Sequence, residues 1–123
     1  MRDDLVKIMY DSVKDRIQTP YDIFAKLMLD WNFIPLTEHD VVIGVVAAKE
    51  NELHIGYKTK PTASIRGHLR ETLRKTIEKY GCATTAVVKG NEKSLAFCKR
   101  LGFTVVAENN GIIRMRCDRS KYV

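Results

Sequence analysis

Apolar side chains recur every three or four positions between Asp3 and Ile17, with polar residues at the positions between them. Thr19-Pro20 then has the residues of a helix start, an N-cap followed by proline at the first helical position. A second apolar stripe runs from Phe24 to Trp31. The opening of the chain therefore predicts two helices in series.

After Asn32 the pattern changes to alternating and β-branched runs. Three such runs, 33–38, 41–49 and 52–59, are separated by the polar pairs 39–40 and 50–51, which are typical of hairpin turns. We expect an antiparallel meander whose middle strand, apolar on both faces, is the most buried. Pro35 indicates an edge strand or a bulge, because it has no N–H group to donate.

Helices and strands alternate in the rest of the chain. Helical spacing predicts the longest helix over 64–80, ended by Gly81, and a short strand over 84–88 follows. After one more helix, two strands over 104–108 and 112–117 flank a hairpin-type turn at 109–111. The predicted order is ααβββαβαββ, in a single domain over residues 1–123.

The stretch from Asn91 to Phe103, NEKSLAFCKRLGF, has marked ends: Asn91 can cap a helix and Gly102 can end it. It resembles the late helix of the GCN5-related N-acetyltransferase (GNAT) family, which reads Asn-x-x-Ala-x-x-Leu-Tyr-x-x-x-Gly-Phe. Cys98 stands where that family commonly has its tyrosine. The alternative is a core helix that carries no chemistry.

The resemblance implies an α/β (α+β) fold, a mixed, mostly antiparallel sheet with helices on both faces. The predicted order is the family's order after its first strand, so we expect that first strand to be missing. Either the sheet is one strand short, or a protein partner or second copy of the chain supplies the open edge.

The net charge of +6 is concentrated in one segment, since seven basic and two acidic residues lie between Lys58 and Lys79. Such a segment favours a polyanion: a phosphorylated cofactor, a nucleic acid or an anionic partner surface. The chain has no recognised nucleic-acid reading motif, so nucleic acid is the least favoured of these.

Cysteine and histidine spacing gives no support for a metal site. Cys82, Cys98 and Cys117 show neither CxxC spacing nor an even disulfide count, and the three histidines are scattered. No apolar run approaches the ~18 residues of a membrane span, and Met1 is followed by charged residues rather than by a signal peptide. We expect a cytoplasmic protein with reduced thiols.

The resemblance implies acetyl-coenzyme A as cofactor, with its pyrophosphate at the N-terminus of the long central helix, where free N–H groups attract phosphate. Candidate cofactor-binding residues are Tyr57, Thr59, Ser64, Ile65, Arg66, Gly67, His68, Leu69, Arg70 and Asn91. Gly67 matches the middle glycine of the family's loop, whereas Leu69 replaces the last glycine and is expected to crowd the phosphate. Arg66 and Arg70 could compensate by direct contact, or the backbone could turn one residue earlier around Gly67. The alternative is that Arg66, Arg70 and Arg74, spaced at i, i+4 and i+8, are simply the solvated face of the helix.

Transfer of an acetyl group to an amine needs a base and an acid near the acyl carbon. Cys98 is the candidate acid, or could itself be acylated, although a buried cysteine more often only packs. Glu52 and His54, on one face of a strand, are the candidate bases, or are solvent-facing residues of an edge strand. In the family's architecture Trp31 and Phe24 of the second helix would border the acceptor side, although a Trp at the end of an apolar stripe usually packs in the core.

The leading hypothesis is acetyl-coenzyme A-dependent N-acetyl transfer to a small-molecule or protein amine by direct attack. The alternative is a catalytically inactive acetyltransferase-like protein with a structural or interaction role. The chain is more loosely similar to acetyltransferase-like internal virion proteins of tailed phages, which would place it in a virion. Leu69 and Cys98, which depart from the family pattern, suit that alternative.

Overall fold

A computed structural model describes residues 2–62 and 65–118, and for Ile65 and Arg66 it describes the backbone only. The candidate residue Ser64 lies outside the described residues. The elements are α1 (Arg2–Ile17), α2 (Tyr21–Leu27), β1 (Asn32–Glu38), β2 (Val41–Lys49), β3 (Glu52–Tyr57), α3 (Ile65–Tyr80), β4 (Cys82–Val88), α4 (Glu92–Leu101), β5 (Thr104–Asn109) and β6 (Ile112–Asp118). The predicted order ααβββαβαββ is confirmed.

Six strands form one hydrogen-bonded sheet in the order β1-β2-β3-β4-β6-β5. β1 pairs antiparallel with β2, and β6 pairs antiparallel with both β4 and β5, whereas β3 and β4 are parallel. The sheet is therefore mixed and mostly antiparallel, as predicted. In the described part of the chain no strand precedes α1, which leaves β1 at one edge of the sheet.

The edge strand β1 contains Pro35, opposite Val45 of β2, and the register shifts between Leu36 and Thr37. Both the edge position and the irregularity that the sequence offered as alternatives are thus present. Pro35 has no N–H group to donate, which suits the edge position of β1.

By its contacts the chain divides into two compact units. Unit 1 is Met1–Lys49 with His54–His68, and unit 2 is Glu50–Leu53 with Leu69–Val123. The core of unit 1 lies between α1, α2 and β2 and consists of Leu5, Val6, Met9, Phe24, Val45 and Ala47. Val46, on the opposite face of β2, is also fully buried, which confirms β2 as a strand buried on both sides.

Unit 2 pairs β4 with β6 along the whole of β4, from Cys82 opposite Asp118 to Val88 opposite Ile112. Its fully buried side chains include Ile77 on α3 and Met115 on β6. Burial of these apolar side chains stabilises α3 and β6, by about 25 cal/mol for each Å² of apolar surface removed from water.

Helix α4 has the ends that the sequence predicted. The side chain of Asn91 accepts a hydrogen bond from the backbone N–H of Ser94 at 3.3 Å. Gly102 adopts the left-handed conformation with φ of 108°, which a residue with a side chain enters only with strain. The β5–β6 hairpin also turns as predicted, with positive φ at Asn110 and Gly111.

The second helix is shorter than the apolar stripe suggested. Pro20 rather than Thr19 occupies the N-cap position, and α2 ends at Leu27, so that Trp31 lies outside the helix. Leu27 is 70% exposed and does not belong to a buried face. The short helix cannot keep Phe24, Leu27 and Trp31 on one side, because the chain leaves helical geometry before Trp31.

No helix in the described part of the chain has the length and apolar character needed to cross a membrane. Within residues 2–62 and 65–118, no group of three or more His, Cys, Asp or Glu side chains is placed to hold a metal ion.

Candidate functional site

A nearly buried carboxylate, Glu38 at the end of β1, gathers polar groups of unit 1. Its two oxygens each lie 3.1 Å from the backbone N–H of Thr62, and one of them accepts from the Thr62 hydroxyl at 3.1 Å. Nε2 of His68 lies 3.1 Å from Oε2 of Glu38, and the His68 and Glu38 side chains are only 12% and 10% exposed. We call Glu38, Thr62 and His68 the Glu38 cluster.

The backbone around the Glu38 cluster explains its position. His39 and Asp40 both have positive φ, so the chain reverses in a tight hairpin turn directly after Glu38. The register shift between β1 and β2 leaves Ile43 as the extra residue. The carbonyl of Ile43 accepts from the N–H groups of Lys58 and Thr59 at 2.7 and 3.1 Å, which fixes the segment that leaves β3.

Two buried polar atoms of unit 1, the Tyr57 hydroxyl and Nδ1 of His68, have no hydrogen-bond partner among the described residues. Burial, and after it the negative charge of Glu38, raises the pKa of Tyr57 to about 12. The phenol is therefore protonated at neutral pH and can donate a hydrogen bond. Tyr57 also borders a cavity of about 670 Å³ beside α1.

The segment that starts α3 contains most of the predicted cofactor-binding residues. Gly67 is exposed, and a Cβ atom added there would meet nothing within 4 Å. The side chain of Leu69 is buried, with 2% exposed, so the expected crowding of a phosphate by this leucine finds no support. Arg70 is exposed, and Thr59 follows the end of β3 instead of lying within it.

Some of the basic side chains of α3 form ion pairs on the helix surface. Arg74 donates to Glu71 and to Glu78, the latter at 2.7 Å, in exposed ion pairs on the helix surface. The ion pair with Arg74 lowers the pKa of Glu71. Arg74 is therefore a surface residue of the solvated face, which was the alternative for all three arginines.

The candidate acid, Cys98 on α4, lies in unit 2 and is buried, with 9% exposed. Burial raises the pKa of the Cys98 thiol to about 11. The candidate base Glu52 also belongs to unit 2, where it opposes Thr84 in the one parallel register pair between β3 and β4.

The other candidate base, His54, lies in unit 1 against Trp31, with ring centroids 5.5 Å apart. The structure thus brings together a predicted base and the aromatic residue predicted to border the acceptor. Asn91 caps α4, and its further role toward the cofactor stays a prediction.

Sequence reasoning missed Glu38 and Thr62. Neither belongs to a motif, and the two residues, which are 24 positions apart in the chain, are brought together only by the fold. The available signal was weak: an acidic residue directly before a hairpin turn, at the end of an apolar strand.

Comparison with solved structures gives long matches at low sequence identity. PH1933 of Pyrococcus horikoshii matches with a TM-score of 0.74 and 13% identity, over 96% of this chain and 90% of that chain. The dodecameric spermidine N-acetyltransferase of Vibrio cholerae matches with a TM-score of 0.68 and 16% identity, over 100% and 92%. The PaiA N-acetyltransferase of Thermoplasma acidophilum, in complex with coenzyme A, matches with a TM-score of 0.67 and 15% identity, over 95% and 92%.

No protein-family model and no curated protein sequence matches the chain. The acetyltransferase neighbours give no support to the looser resemblance to phage virion proteins. Their agreement in fold over nearly the whole chain, together with the six-stranded mixed sheet and four helices, shows that the chain has the GCN5-related N-acetyltransferase fold.

Proposed function

We propose that the protein is an acetyl-coenzyme A-dependent N-acetyltransferase that transfers the acetyl group to an amine by direct attack. The observation that carries the proposal is the shared fold, since structures named as N-acetyltransferases cover 95% or more of the chain. One of these neighbours holds coenzyme A. Fold alone does not fix an activity, so the residues of this chain must also suit the chemistry.

The start of α3 suits a phosphate. The first N–H groups of a helix are unpaired along the helix axis, and they carry the positive end of the helix dipole. Open space at Gly67 lets a ligand approach the backbone closely, and exposed Arg70 adds positive charge next to it. These residues would hold the pyrophosphate, and the cofactor would supply the activated acetyl group.

Strand β4 suits an extended ligand arm. In unit 2 it pairs along its whole length with β6, whereas its parallel register with β3 is the pair Glu52 and Thr84. The N–H of Thr84 donates to the carbonyl of Asn51 at 2.7 Å, at the beginning of β4. We propose that backbone groups of the later β4 residues bind an extended, amide-containing chain by strand-like hydrogen bonds.

The amine must lose a proton to attack the acetyl carbon, and the new amide N–C bond forms as the C–S bond breaks. His54 is the base that we favour. Its ring packs against Trp31, which can hold the apolar part of an acceptor beside the imidazole. Glu52 is the second candidate.

The departing thiolate takes up a proton, and Cys98 is poorly suited to provide it. An ordinary thiol has a pKa of about 8.5, so proton transfer to its thiolate from a group with a pKa of about 11 is uphill by about 2.5 pKa units. The same raised pKa leaves very little Cys98 thiolate at neutral pH, which disfavours an acylated Cys98. The proposed mechanism accordingly uses direct attack and leaves the acid to solvent.

Calorimetric titration with acetyl-coenzyme A, and separately with coenzyme A, tests the cofactor. We expect micromolar binding that weakens in Arg70→Ala, with Arg74→Ala as the matched control because Arg74 is engaged by Glu71 and Glu78. No heat at millimolar cofactor would contradict the proposal.

Release of free thiol on addition of amines tests the reaction. Spermidine is a first acceptor to try, since one structural neighbour is named for it, and short peptides with a free amino terminus are a second class. We expect His54→Gln to lower the rate by about 10²-fold, the usual size of a general-base contribution, without changing cofactor affinity.

A further inference from the structure

The carboxylate of Glu38 bonds to one residue that precedes α3 and to one residue in the first turns of α3. Thr62 precedes the helix and His68 lies in its first turns, and both are bonded to Glu38. Glu38 in turn belongs to β1, whose end is fixed by the hairpin turn at His39 and Asp40. The start of α3 is therefore attached to a strand of the sheet through one side chain.

Such an attachment is strong for physical reasons. A carboxylate that is 90% buried needs hydrogen-bond donors, because an unpaired buried charge is strongly unfavourable. Thr62 supplies a backbone N–H and a hydroxyl, and His68 supplies Nε2. Bonds from polar groups to a charged acceptor are about twice as strong as neutral ones.

We propose that Glu38 is a positioning residue for phosphate binding, which sets the placement of the α3 N-terminus by holding Thr62 and His68. This inference rests on the proposed function, since the phosphate belongs to coenzyme A. Glu38 does not touch the phosphate. Its negative charge alone would repel a polyanion, so the effect of positioning and the effect of charge have opposite signs.

Because positioning and charge have opposite effects on phosphate binding, substitutions of Glu38 can distinguish them. Glu38→Gln removes the charge and keeps the shape, whereas Glu38→Asp keeps the charge and shortens the side chain by one CH₂ group. Glu71→Gln is the matched control, since it removes an exposed carboxylate from α3 and changes the net charge by the same amount as Glu38→Gln. Each variant is titrated with coenzyme A, and affinity and stoichiometry are measured.

We expect both Glu38 variants to bind coenzyme A about tenfold more weakly, the effect of about 1.4 kcal/mol, with unchanged stoichiometry. Glu71→Gln should bind as the wild type does, or slightly more tightly. A merely structural defect would reduce the stoichiometry and leave the dissociation constant unchanged. Tighter binding by Glu38→Gln, to the same extent as by Glu71→Gln, would show that Glu38 acts only through its charge and would overturn the proposal.

Amide hydrogen exchange in the ligand-free protein separates this inference from the proposed function. The N–H of Thr62 should exchange faster in Glu38→Gln than in the wild type, whether or not a cofactor binds. Unchanged exchange would refute the positioning role. Absence of coenzyme A binding by the wild type would refute the proposed function, whereas wild-type binding with an unchanged dissociation constant in both Glu38 variants would refute this inference alone.

Discussion

Unit 1 and unit 2 treat their buried polar groups differently. In unit 2 the hydroxyl of Thr85 is buried and donates to the carbonyl of Leu53 at 2.7 Å. In unit 1 the Tyr57 hydroxyl and Nδ1 of His68 are buried without a hydrogen-bond partner among the described residues. Both atoms belong to residues predicted to contact the cofactor, and His68 belongs to the Glu38 cluster.

Native proteins pair the large majority of their buried polar atoms, so an unpaired one needs an explanation. Among the described residues of unit 2, the buried Thr85 hydroxyl is satisfied and apolar side chains such as Ile77 and Met115 are packed. In unit 1 two buried polar atoms stay unpaired among the described residues, as is common where a structure serves binding. The difference agrees with the proposal that Tyr57 and His68 contact the cofactor.

The largest expected effect is loss of packing in unit 2. Ile77 on α3 is fully buried, so Ile77→Ala should lower the free energy of unfolding by about 2–5 kcal/mol. Urea denaturation measures it. A cost below about 1 kcal/mol would mean that this part of unit 2 is loosely packed and that the contrast with unit 1 is smaller than the structure indicates.

The next largest effect concerns Cys98 of unit 2, whose pKa is shifted by burial and not by a charged neighbour. Its pKa is raised from 9.0 to about 11, so the folded state holds the proton more tightly than the unfolded chain. The resulting stability is complete below about pH 9 and is lost as the pH rises through 11, an effect of about 2–3 kcal/mol.

Urea denaturation from pH 8 to 10.5 should show this decline in the wild type and a flatter profile in Cys98→Ala. The slope with pH is the readout, because the substitution also removes packing at all pH values. Equal slopes in the two proteins would contradict the assignment to Cys98.

Smaller effects test the comparison between the units directly. Thr85→Val removes a satisfied hydroxyl and should cost about 1 kcal/mol, whereas Tyr57→Phe removes an unpaired one and should be neutral or stabilise by up to about 1 kcal/mol. Thermal unfolding of both variants measures the difference. Similar losses in both would mean that the Tyr57 hydroxyl has a partner in solution, such as an ordered water molecule.

The smallest effect is expected at Gly67, where one substitution should stabilise the fold but weaken cofactor binding. Gly67→Ala should raise the free energy of unfolding by about 0.5–1 kcal/mol, because alanine favours a helix and its Cβ meets no atom within 4 Å. The same variant should bind coenzyme A more weakly, because the methyl group occupies the space proposed for the phosphate. A gain in stability without a loss of affinity would exclude the Gly67 surface from the cofactor site.

Local patterns in the sequence were sufficient for the order of the elements and for several of their ends. Asn91 and Gly102 mark the ends of α4 because capping needs only neighbouring backbone groups. Pro35 indicated the edge and the irregularity of β1, because the missing N–H group is a property of the residue itself. Where the pattern was wrong, as for Trp31 in the second helix, the apolar residue packs against the core of unit 1 from the loop that follows α2.

The candidate site also has residues that local patterns predicted and residues that only the tertiary structure revealed. A local motif and the family that it resembles were enough to propose Gly67, His68 and Cys98 as candidates, because a resemblance transfers along the chain order alone. Glu38 and the unpaired state of Tyr57 were decided by the tertiary structure. A hydrogen bond between residues 24 positions apart, and the burial that raises a pKa, depend on what the folded chain brings together, and no local pattern records either.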